Sequence, residues 1–413
     1  MNDEETKPFV EIVGYNLKGE LPDPFTFDNG ERIHRRGDWK KRRLEIYKSA
    51  VELQFGGMPP EPEFLDIDAL YAPTGSGINV YRIRTGRREK PISFTMTLRL
   101  PYTVTSATRP PAVISCDPCF EYSHSDGVIN TFLENGIAYV TFERCELSPD
   151  LAEYDMPFLE DFKAAAAVTR RDLDKIVRGE RVGQIYETYP DCSFGTVAAW
   201  AWGFSRCVDA LELLSLVDTR YIAFTGHSRG GKTAILAGAV DERAAIVNPV
   251  GTCAGGCSCY RIKIKALNEK GELCESEDIA NIFRHFPLWM GDGMKEFVDN
   301  EENLPFDSHY LKALVAPRVL LVCERASDIM ANPVGSWQTT EAAKEVYRFL
   351  GCEQNLLWYI GSGGHRYDRN EAELLVNAIK HLKDNEPLSE RLFKLPFKRL
   401  EPAYSWRAPE NFD

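Results

Sequence analysis

One stretch in the middle of this 413-residue chain constrains the fold most, the run Tyr221-Ile-Ala-Phe-Thr-Gly-His-Ser-Arg-Gly-Gly-Lys232. An apolar strand is followed by Gly226-His-Ser228-Arg-Gly230, and then by an alanine-rich helix. Glycines two positions before and after the serine leave room for a sharp turn, which lifts the serine hydroxyl clear of the sheet. The turn also places Ser228 at a helix N-terminus, where the backbone N–H of Arg229 can donate to a developing oxyanion. The pattern therefore predicts a nucleophilic serine at position 228.

Two other interpretations of the same run carry no such chemistry. The pattern G-x-S-x-G also occurs by chance in ordinary glycine-rich turns between a strand and a helix. A phosphate-binding loop needs four residues between its first glycine and a Gly-Lys pair, and the segment that ends at Lys232 does not supply them. The flanking strand and helix favour the nucleophile, because they are the setting that the elbow requires.

Short apolar segments alternate with helical segments on both sides of the elbow. Strands that alternate with helices in this way form a mostly parallel sheet with helices on both faces. We therefore predict the α/β-hydrolase fold, a three-layer sandwich in which ligands bind beyond the carboxyl ends of the strands. The predicted strands are 78–85, 92–100, 112–115, 138–142, 221–225, 244–248, 318–323 and 355–360, and the predicted helices are 38–55, 128–135, 195–214, 230–238, 336–350 and 370–384, with further helices between 253 and 316.

The same pattern suggests how the chain is divided. Residues 1–70 are rich in turns and contain one charged helix, which predicts an N-terminal extension packed on the core. Residues 71–400 are expected to form a single α/β-hydrolase domain. A stretch rich in charge and alanine, around residues 150–190, interrupts the alternation and is predicted to be an insertion over one edge of the sheet. Residues 401–413 form a C-terminal tail.

The general base is expected after the last strand, because the triad order in this fold is serine, acid, histidine. His365 follows strand 355–360 through a glycine-rich loop, which lets its imidazole reach the serine. His381 lies inside a predicted amphipathic helix, where a solvated or capping side chain is expected. His309 is a more distant candidate, and His227 beside the nucleophile is expected to pack within the elbow. His365 is therefore the predicted base.

The acid is expected in the loop after strand 318–323, which begins Glu324-Arg-Ala-Ser-Asp328. A buried carboxylate there would hold the imidazole tautomer and stabilise its protonated form. Asp328 is the predicted acid, since it lies far enough into the loop to turn toward His365. Glu324, nearer the strand end, stays an alternative, because chain order alone does not separate the two. Either carboxylate could instead be an exposed loop charge or a helix cap.

Charge and composition argue against several classes of function. The formal net charge is −13, whereas a partner with a phosphate backbone needs a basic face. No apolar run approaches the roughly 18 residues of a membrane span. The first residues, Met1 to Phe9, lack the basic and apolar regions of a secretory signal, and the eleven cysteines are an odd number. These features predict a cytoplasmic protein with reduced thiols that binds neither nucleic acid nor membranes. A secreted protein is the alternative, if a signal peptide has been removed from the sequence.

Two cysteine-rich runs are candidates for metal sites. They are Cys116-Asp-Pro-Cys119, with His124 nearby, and Cys253-x3-Cys257-x-Cys259. Neither has the paired spacing of a structural zinc site. We therefore predict no metal and no cofactor. The first run follows the strand that usually supplies the second oxyanion N–H in this fold, so the backbone of Cys119 or Phe120 is a candidate donor.

The motifs together resemble those of carbohydrate esterase family 15, the glucuronoyl esterases, and of related bacterial proteins often labelled acetylxylan esterases. The elbow is similar to that family's G-[CH]-S-R-x-G-K pattern. The likeness spans most of the chain, and the longer stretches are more specific than the elbow. The resembling stretches are Leu21–Pro24, Trp39–Arg43, Gly195–Arg206, Phe286–Trp289, Leu304–His309 and Ala313–Arg318.

The resemblance implies roles for individual residues. Ser228 would be the nucleophile and His365 the base. Arg229 would add its guanidinium to the stabilisation of the oxyanion, and Lys232 would hydrogen-bond sugar hydroxyls. Both residues begin the elbow helix, so both can face the mouth of a pocket. Glu277 fits a sugar-contacting glutamate more loosely, and a charge on a helix surface is an equally good interpretation.

The chain departs from the family pattern in two places. Many members carry an acid in an E-S-G-x-G-G or D-S-G-x-G-G run after the strand that follows the elbow helix. Here the run is Gly251-Thr-Cys-Ala-Gly-Gly256, with no carboxylate, which favours Asp328 as the acid by exclusion. Members also often place a substrate-contacting tryptophan in the acid loop, where this chain has Met330. The resemblance therefore implies an altered sugar platform.

The sequence thus predicts a serine carbohydrate esterase that acts through an acyl-enzyme. Its expected substrate is a small-molecule or oligosaccharide ester, of the 4-O-methyl-glucuronate type. An acetylxylan esterase, or a general carboxylesterase for small sugar esters inside the cell, is the alternative within enzymes. An inactive hydrolase scaffold that binds carbohydrate is the alternative from another class, since no acid follows strand 244–248. The oligomeric state is not predicted.

Overall fold

The computed structural model describes residues 12–73, 77–102, 108–116, 125–150, 180–268 and 270–410. The strands are β1 (Ile12–Leu17), β2 (Phe64–Tyr71), β3 (Ile78–Arg87), β4 (Lys90–Arg99), β5 (Ala112–Ser115), β6 (Ala138–Phe142), β7 (Ile222–His227), β8 (Ile246–Val250), β9 (Ile262–Leu267), β10 (Leu273–Glu275), β11 (Val319–Arg325) and β12 (Leu356–Gly361). The α-helices are α1 (Trp39–Tyr47), α2 (Asp126–Glu134), α3 (Arg144–Leu147), α4 (Gln184–Thr188), α5 (Thr196–Leu214), α6 (Arg229–Val240), α7 (Ile279–His285), α8 (His309–Val315), α9 (Pro333–Phe349) and α10 (Arg369–Asp384).

Nine strands form the main sheet, in the order β12-β11-β8-β7-β5-β6-β4-β3-β2. Neighbours from β12 to β6 pair in parallel, and β4, β3 and β2 add antiparallel pairs at the other edge. The ends of the predicted strands and helices lie within three residues of the observed ends. The predicted helix 38–55 corresponds to α1 together with a π-helix that continues it at Lys48–Leu53. The mostly parallel sheet of the α/β-hydrolase fold is confirmed.

Buried side chains lie on both faces of this sheet, as a three-layer sandwich requires. On one face, alternate strand residues such as Ile114 and Phe224 pack with the buried residues of α5 and α6. On the other face, Val113 and Leu321 pack with α2 and α10. The elbow strand β7 is therefore covered on both sides, which fixes the position of the turn at its end.

A second sheet was not predicted. Strands β1, β9 and β10 form a three-stranded antiparallel sheet, whereas a loop and helices were predicted between residues 253 and 316. The residues of β9, IKIKAL, alternate between buried and exposed positions, which is the period of a strand. The short length of this run concealed the alternation. Helices α7 and α8 do lie in the segment, so the expectation was wrong for β9 and β10 alone.

The division of the chain stays a prediction, although the described residues bear on it. Strand β2 (Phe64–Tyr71) lies at the edge of the main sheet and contains residue 70, where the N-terminal extension was expected to end. Most of the expected insertion, residues 151–179, lies outside the described residues. Within the described ranges, every helix falls short of the length or the apolar character that a bilayer crossing demands.

The segment around Pro22 docks on α8 through buried polar groups. His309 is fully buried, and its Nε2–H donates to the carbonyl of Pro22 at 2.8 Å. The hydroxyl of Tyr310 donates to the carbonyl of Asp23 at 3.2 Å. Nδ1 of His309 has no hydrogen-bond partner in the described structure, and burial lowers the pKa of His309 to about 4. The residue is a structural contact of the N-terminal segment and lies apart from the elbow.

This buried imidazole predicts a pH-dependent stability. Because the pKa of His309 is about 4 in the folded protein and about 6.5 in an unfolded chain, protonation favours unfolding. Its contribution is complete above about pH 6.5 and is lost as the pH falls toward 4. We expect a loss of about 2 kcal/mol in unfolding free energy between about pH 7.5 and pH 5. Urea unfolding of wild type and His309→Gln at both pH values measures it.

The glutamine variant should lack this part of the pH dependence. His381→Gln is the matched control, since His381 is a half-buried histidine near the end of α10 and the variant should keep the wild-type difference. Equal pH dependence in wild type and His309→Gln would show that His309 does not titrate during unfolding.

Candidate active site

Ser228 lies on the turn between β7 and α6 in a strained backbone conformation. Its φ is 55° and its ψ is −120°, a region that costs a non-glycine residue about 1–3 kcal/mol. The turn is held because the backbone N–H of Ser228 donates to the carbonyl of Val250 at 2.9 Å. Helix α6 begins at Arg229, so the helix N-terminus stands directly beside the serine. This is the conformation of a nucleophile elbow.

The glycines around the serine are required by close backbone packing. A Cβ on Gly226 would lie 2.4 Å from the carbonyl oxygen of Gly230, and a Cβ on Gly231 would lie 2.8 Å from Cγ2 of Thr252. Side chains at these positions would force β7 and α6 apart. The role that the sequence analysis gave to the glycine two residues before the serine is confirmed.

His365 and Asp328 form a short hydrogen-bonded pair. Nδ1 of His365 lies 2.6 Å from Oδ2 of Asp328, with the histidine side chain 28% exposed and the aspartate side chain 4% exposed. Oδ1 of Asp328 accepts from the backbone N–H of Ala331 at 3.3 Å. A carboxylate at this distance fixes the Nδ1–H tautomer, which leaves Nε2 as a proton acceptor.

The loops that carry this pair are joined to each other. The backbone N–H groups of Ala326 and Ser327 donate to the carbonyls of Gly361 and Gly363 at 2.8 and 3.0 Å. Nη1 of Arg325 donates to the carbonyl of Ser362 at 2.8 Å. The acid loop after β11 and the histidine loop after β12 are therefore one connected unit.

The sheet brings this unit to the elbow. Strands β12, β11, β8 and β7 are parallel neighbours, so their carboxyl ends lie at one edge of the sheet. Val250 at the end of β8 pairs with His227 on one side and with Cys323 on the other. The rings of His227 and His365 lie 4.4 Å apart, centroid to centroid. His227, the residue before the nucleophile, thus packs on the imidazole of His365, as predicted. Its burial, and then the charge of His365, lowers the pKa of His227.

The run without a carboxylate, Gly251–Gly256, begins beside the same pair. Gly251 has a φ of +54°, and a Cβ there would lie 3.2 Å from Nε2 of His227 and 3.4 Å from Oδ2 of Asp328. The space that a side chain at residue 251 would enter is therefore already filled by His227 and Asp328.

Glu324, the alternative acid, points elsewhere. Its side chain is fully buried within β11, and Oε1 accepts from the hydroxyl of Ser336 at 2.9 Å. Burial, and then the charge of Asp328, raises the pKa of the Glu324 carboxyl to about 8. A neutral carboxyl that faces Ser336 is poorly suited to stabilise a protonated imidazole. The geometry favours Asp328.

Arg229 and Lys232 lie side by side on the first turns of α6. Nη1 of Arg229 donates to Oδ2 of Asp150 at 3.0 Å, and its guanidinium lies 5.0 Å from the ring centre of Phe286 and 4.9 Å from that of Trp289. Nζ of Lys232 lies 5.0 Å from the ring centre of Trp289. The two cations therefore share one aromatic wall, since Phe286 and Trp289 are stacked 3.8 Å apart.

Glu277 is the partner of Lys232. Nζ of Lys232 donates to Oε2 of Glu277 at 2.8 Å, and both side chains are largely buried. Glu277 precedes Asp278, the residue that caps α7, so its interpretation as a charge on a helix surface was wrong. The pair offers a donor and an acceptor beside the aromatic wall, a combination that suits sugar hydroxyls.

The two cysteine runs considered as metal sites are described only in part. Among the described residues, no three His, Cys, Asp or Glu side chains are placed to hold a metal ion. Cys253, Cys257 and Cys259 are buried free thiols, and burial raises the pKa of Cys257 to about 12. The candidates Cys119 and His124, and Phe120 with its expected oxyanion N–H, lie outside the described residues.

Known proteins resemble this chain in sequence and fold. The family model "Glucuronyl esterase, fungi" matches residues 161–351. The 4-O-methyl-glucuronoyl methylesterase 1 of Wolfiporia cocos is 28% identical over 389 residues, 92% of this chain and 85% of that relative. The chain spans 65% of the 4-O-methyl-glucuronoyl methylesterase of Podospora anserina, at 28% identity over 86% of its own length. A carbohydrate esterase family 15 glucuronoyl esterase from Caldicellulosiruptor kristjansonii has a TM-score of 0.76 at 25% identity, covering 97% of this chain and 98% of that one.

These likenesses support the resemblance of the chain to carbohydrate esterase family 15, the glucuronoyl esterases. The family resemblance drawn from its motifs is therefore confirmed, together with the fold. The family-model match includes α5, the elbow and the acid loop. The roles of its individual site residues stay predictions, which the geometry above supports to different degrees.

One residue of this site was missed from the sequence. Asp150 contacts Arg229 from 79 positions upstream, at the start of the stretch predicted to be an insertion. No local pattern marks it, because an ion pair between distant residues has no periodicity. The segment before it is positioned by α5, since Nε1 of Trp200 donates to the carbonyl of Ser148 at 2.8 Å.

Proposed function

We propose that this protein is a serine esterase that hydrolyses glucuronoyl esters of sugars, of the 4-O-methyl-glucuronate type, through an acyl-enzyme. The observation that carries the proposal is the 2.6 Å pair of His365 and Asp328 at the sheet edge where Ser228 stands on its strained turn. The family supports the same chemistry, because relatives over most of the chain are named 4-O-methyl-glucuronoyl methylesterases.

In the first half of the proposed reaction, Oγ of Ser228 attacks the ester carbonyl and its proton passes to Nε2 of His365. The tetrahedral intermediate places its negative charge near Arg229, whose backbone N–H and guanidinium stabilise it. The intermediate collapses as His365 returns the proton to the departing alcohol. Asp328 stabilises the imidazolium throughout and stays ionised.

In the second half, water attacks the acyl-enzyme. His365 takes one proton from the water, and the second tetrahedral intermediate collapses to release a uronic acid. The proton on His365 returns to Oγ of Ser228. Each cycle therefore consumes one ester and one water and yields one acid and one alcohol, and no cofactor enters the balance.

Lys232, Glu277 and the aromatic wall support a sugar as the acyl group. A site that hydrogen-bonds substrate hydroxyls discriminates strongly against esters that lack them, because its buried polar groups are then left without partners. Lys232 and Glu277 are such groups, at 2% and 9% side-chain exposure. We propose that they bind the hydroxyls of the uronate ring.

An acetyl esterase is the second candidate, because Met330 is 43% exposed in the acid loop, at the place where the resemblance implies a tryptophan platform. The inactive scaffold loses its main support, since Asp328 supplies the carboxylate that the run Gly251–Gly256 lacks. The ten cysteines of the described residues are all free, which supports the proposal of a reducing compartment such as the cytoplasm.

A paired ester assay tests the substrate. The purified chain is given the methyl ester of 4-O-methyl-glucuronate, acetylated xylose, and an alkyl ester without hydroxyl groups. We expect kcat/KM for the uronate ester to exceed that for the alkyl ester by about 10⁴-fold, the scale on which hydrogen-bonding sites reject analogues that lack the group. Hydrolysis of the acetyl compound alone would instead establish the acetyl esterase.

A further inference from the structure

A buried ionic cluster lies against the elbow and includes two residues without an assigned role. The side chains of Asp150 and Arg144 are 1% and 0% exposed. Oδ2 of Asp150 accepts from Nη2 of Arg144 at 2.8 Å and from Nη1 of Arg229 at 3.0 Å. Oδ1 accepts from Nε1 of Trp289 at 3.3 Å. Both carboxylate oxygens are engaged, and one partner is the arginine that follows the nucleophile.

The Asp150 carboxylate stands between two guanidinium groups, those of Arg144 and Arg229. Burial alone would raise the pKa of the Asp150 carboxyl, but the charges of Arg229 and Arg144 outweigh it and lower that pKa below its ordinary value. Arg144 is thus a buried counter-charge of Asp150, beside Arg229.

The position of the guanidinium is fixed from more than one side. The Asp150 carboxylate holds one end of the group, and the stacked rings of Phe286 and Trp289 lie against it. The Arg229 side chain is still 26% exposed, so it faces the outside of the cluster as well as its interior. A guanidinium has five N–H donors in a rigid plane, so holding one nitrogen sets the direction of the others.

We propose that Asp150 is a positioning residue for the esterase reaction: with Arg144 as its counter-charge, it holds the guanidinium of Arg229 beside the elbow, where the oxyanion forms. The inference rests on the proposed function. Asp150 acts through Arg229 and has no part in proton transfer. Such preorganised charge stabilises a transition state because it needs no rearrangement when the negative charge develops.

A double-mutant cycle tests this inference. Asp150→Asn is expected to lower kcat by about 10- to 100-fold with KM changed less than about threefold, since an interaction specific to the transition state is lost. Arg229→Ala is expected to lower kcat at least as much. In the double variant, Asp150→Asn should cause no further loss, because a residue that acts through Arg229 has nothing left to position. Steady-state kinetics on one ester substrate measure all four proteins.

A matched control separates this role from a purely structural one. Asp307 is another fully buried aspartate, and it lies away from the elbow. Its Oδ2 is 3.1 Å from Nη1 of Arg261. Asp307→Asn should lower Tm and leave kcat of the remaining folded protein within about twofold of wild type. If Asp150→Asn fails to fold, Trp289→Phe replaces it, since it removes one hydrogen bond to Asp150 and keeps a ring under the guanidinium. That variant should lower kcat in the wild-type background and leave kcat unchanged in the Arg229→Ala background.

Two results would overturn the inference. In the first, Asp150→Asn, or Trp289→Phe in its place, lowers kcat in the Arg229→Ala background by as large a factor as it does in the wild-type background. The other is a loss confined to KM. Neither depends on the acyl group, because an oxyanion forms on any ester. If the wild type hydrolyses only acetyl esters, the proposed substrate fails, and the same cycle on the acetyl ester still decides the role of Asp150.

Discussion

Ser228→Ala is expected to lower kcat for ester hydrolysis by about 10⁵- to 10⁶-fold, the loss found when a triad nucleophile is removed. The alanine keeps the backbone of the elbow and removes the one oxygen that can form the acyl-enzyme. Serine and alanine carry the same backbone strain at a φ of 55°. The Tm of the variant should therefore stay close to that of wild type. Hydrolysis of the uronate ester, followed by acid release, measures the loss.

Covalent labelling supplies an independent measurement. A fluorophosphonate probe, which reacts with activated serines, should label the wild type and fail to label Ser228→Ala. Ser49→Ala is the matched control, since that hydroxyl donates to the carbonyl of Ile46 within its own helical segment, and it should retain both labelling and turnover. A wild-type protein that neither reacts with the probe nor hydrolyses esters would establish the inactive scaffold.

Asp328→Asn is expected to lower kcat by about 10⁴-fold, with the fold unchanged. The amide can present an N–H to Nδ1 of His365, which would place the imidazole proton on Nε2 and prevent that nitrogen from accepting the serine proton. The loss should appear in kcat more than in KM, because the imidazolium forms during the reaction. Steady-state kinetics near neutral pH measure it.

The matched control is Glu324→Gln, the equivalent change at the alternative acid. Because the pKa of Glu324 is raised to about 8, its carboxyl is neutral at neutral pH, and a glutamine oxygen can accept from Ser336 in the same way. We expect kcat within about threefold of wild type. A large loss in Glu324→Gln together with a small loss in Asp328→Asn would reverse the assignment of the acid.

The sequence alone could predict what is local. Ser228 is marked by Gly226, where a Cβ would lie 2.4 Å from the carbonyl oxygen of Gly230. His365 is marked by a glycine-rich loop after a strand. Asp328 and Glu324 lie in the same short segment, and only the direction of each side chain separates them. That direction depends on β12 and α9, which chain order does not describe. The strand β9 showed its alternation in the sequence, but so short a run does not distinguish a strand from a helix.

Contacts between residues that are distant in the chain could not be predicted from a single sequence. Asp150 meets Arg229 because α5 holds the segment before it. Glu277 meets Lys232 from a segment whose backbone is tied to the acid loop, since the N–H of Glu277 donates to the carbonyl of Met330 at 3.1 Å. Each pair joins side chains that are 79 and 45 positions apart. A single sequence contains no spacing rule for such pairs, so the binding side of the site was predicted less completely than the nucleophile and base.

The hydrogen bonds that join the acid and histidine loops have a consequence for how such an enzyme can change. The acid and the base are carried by one unit, built from the ends of β11 and β12, whereas the cations and the aromatic wall depend on α5, α6 and the segment before Asp150. Mutations that alter which sugar is accepted can therefore accumulate on the second group without disturbing the path of the proton. Substrate range and proton transfer can evolve independently in such an architecture, whereas changes at Arg229 or Asp150 also alter oxyanion stabilisation.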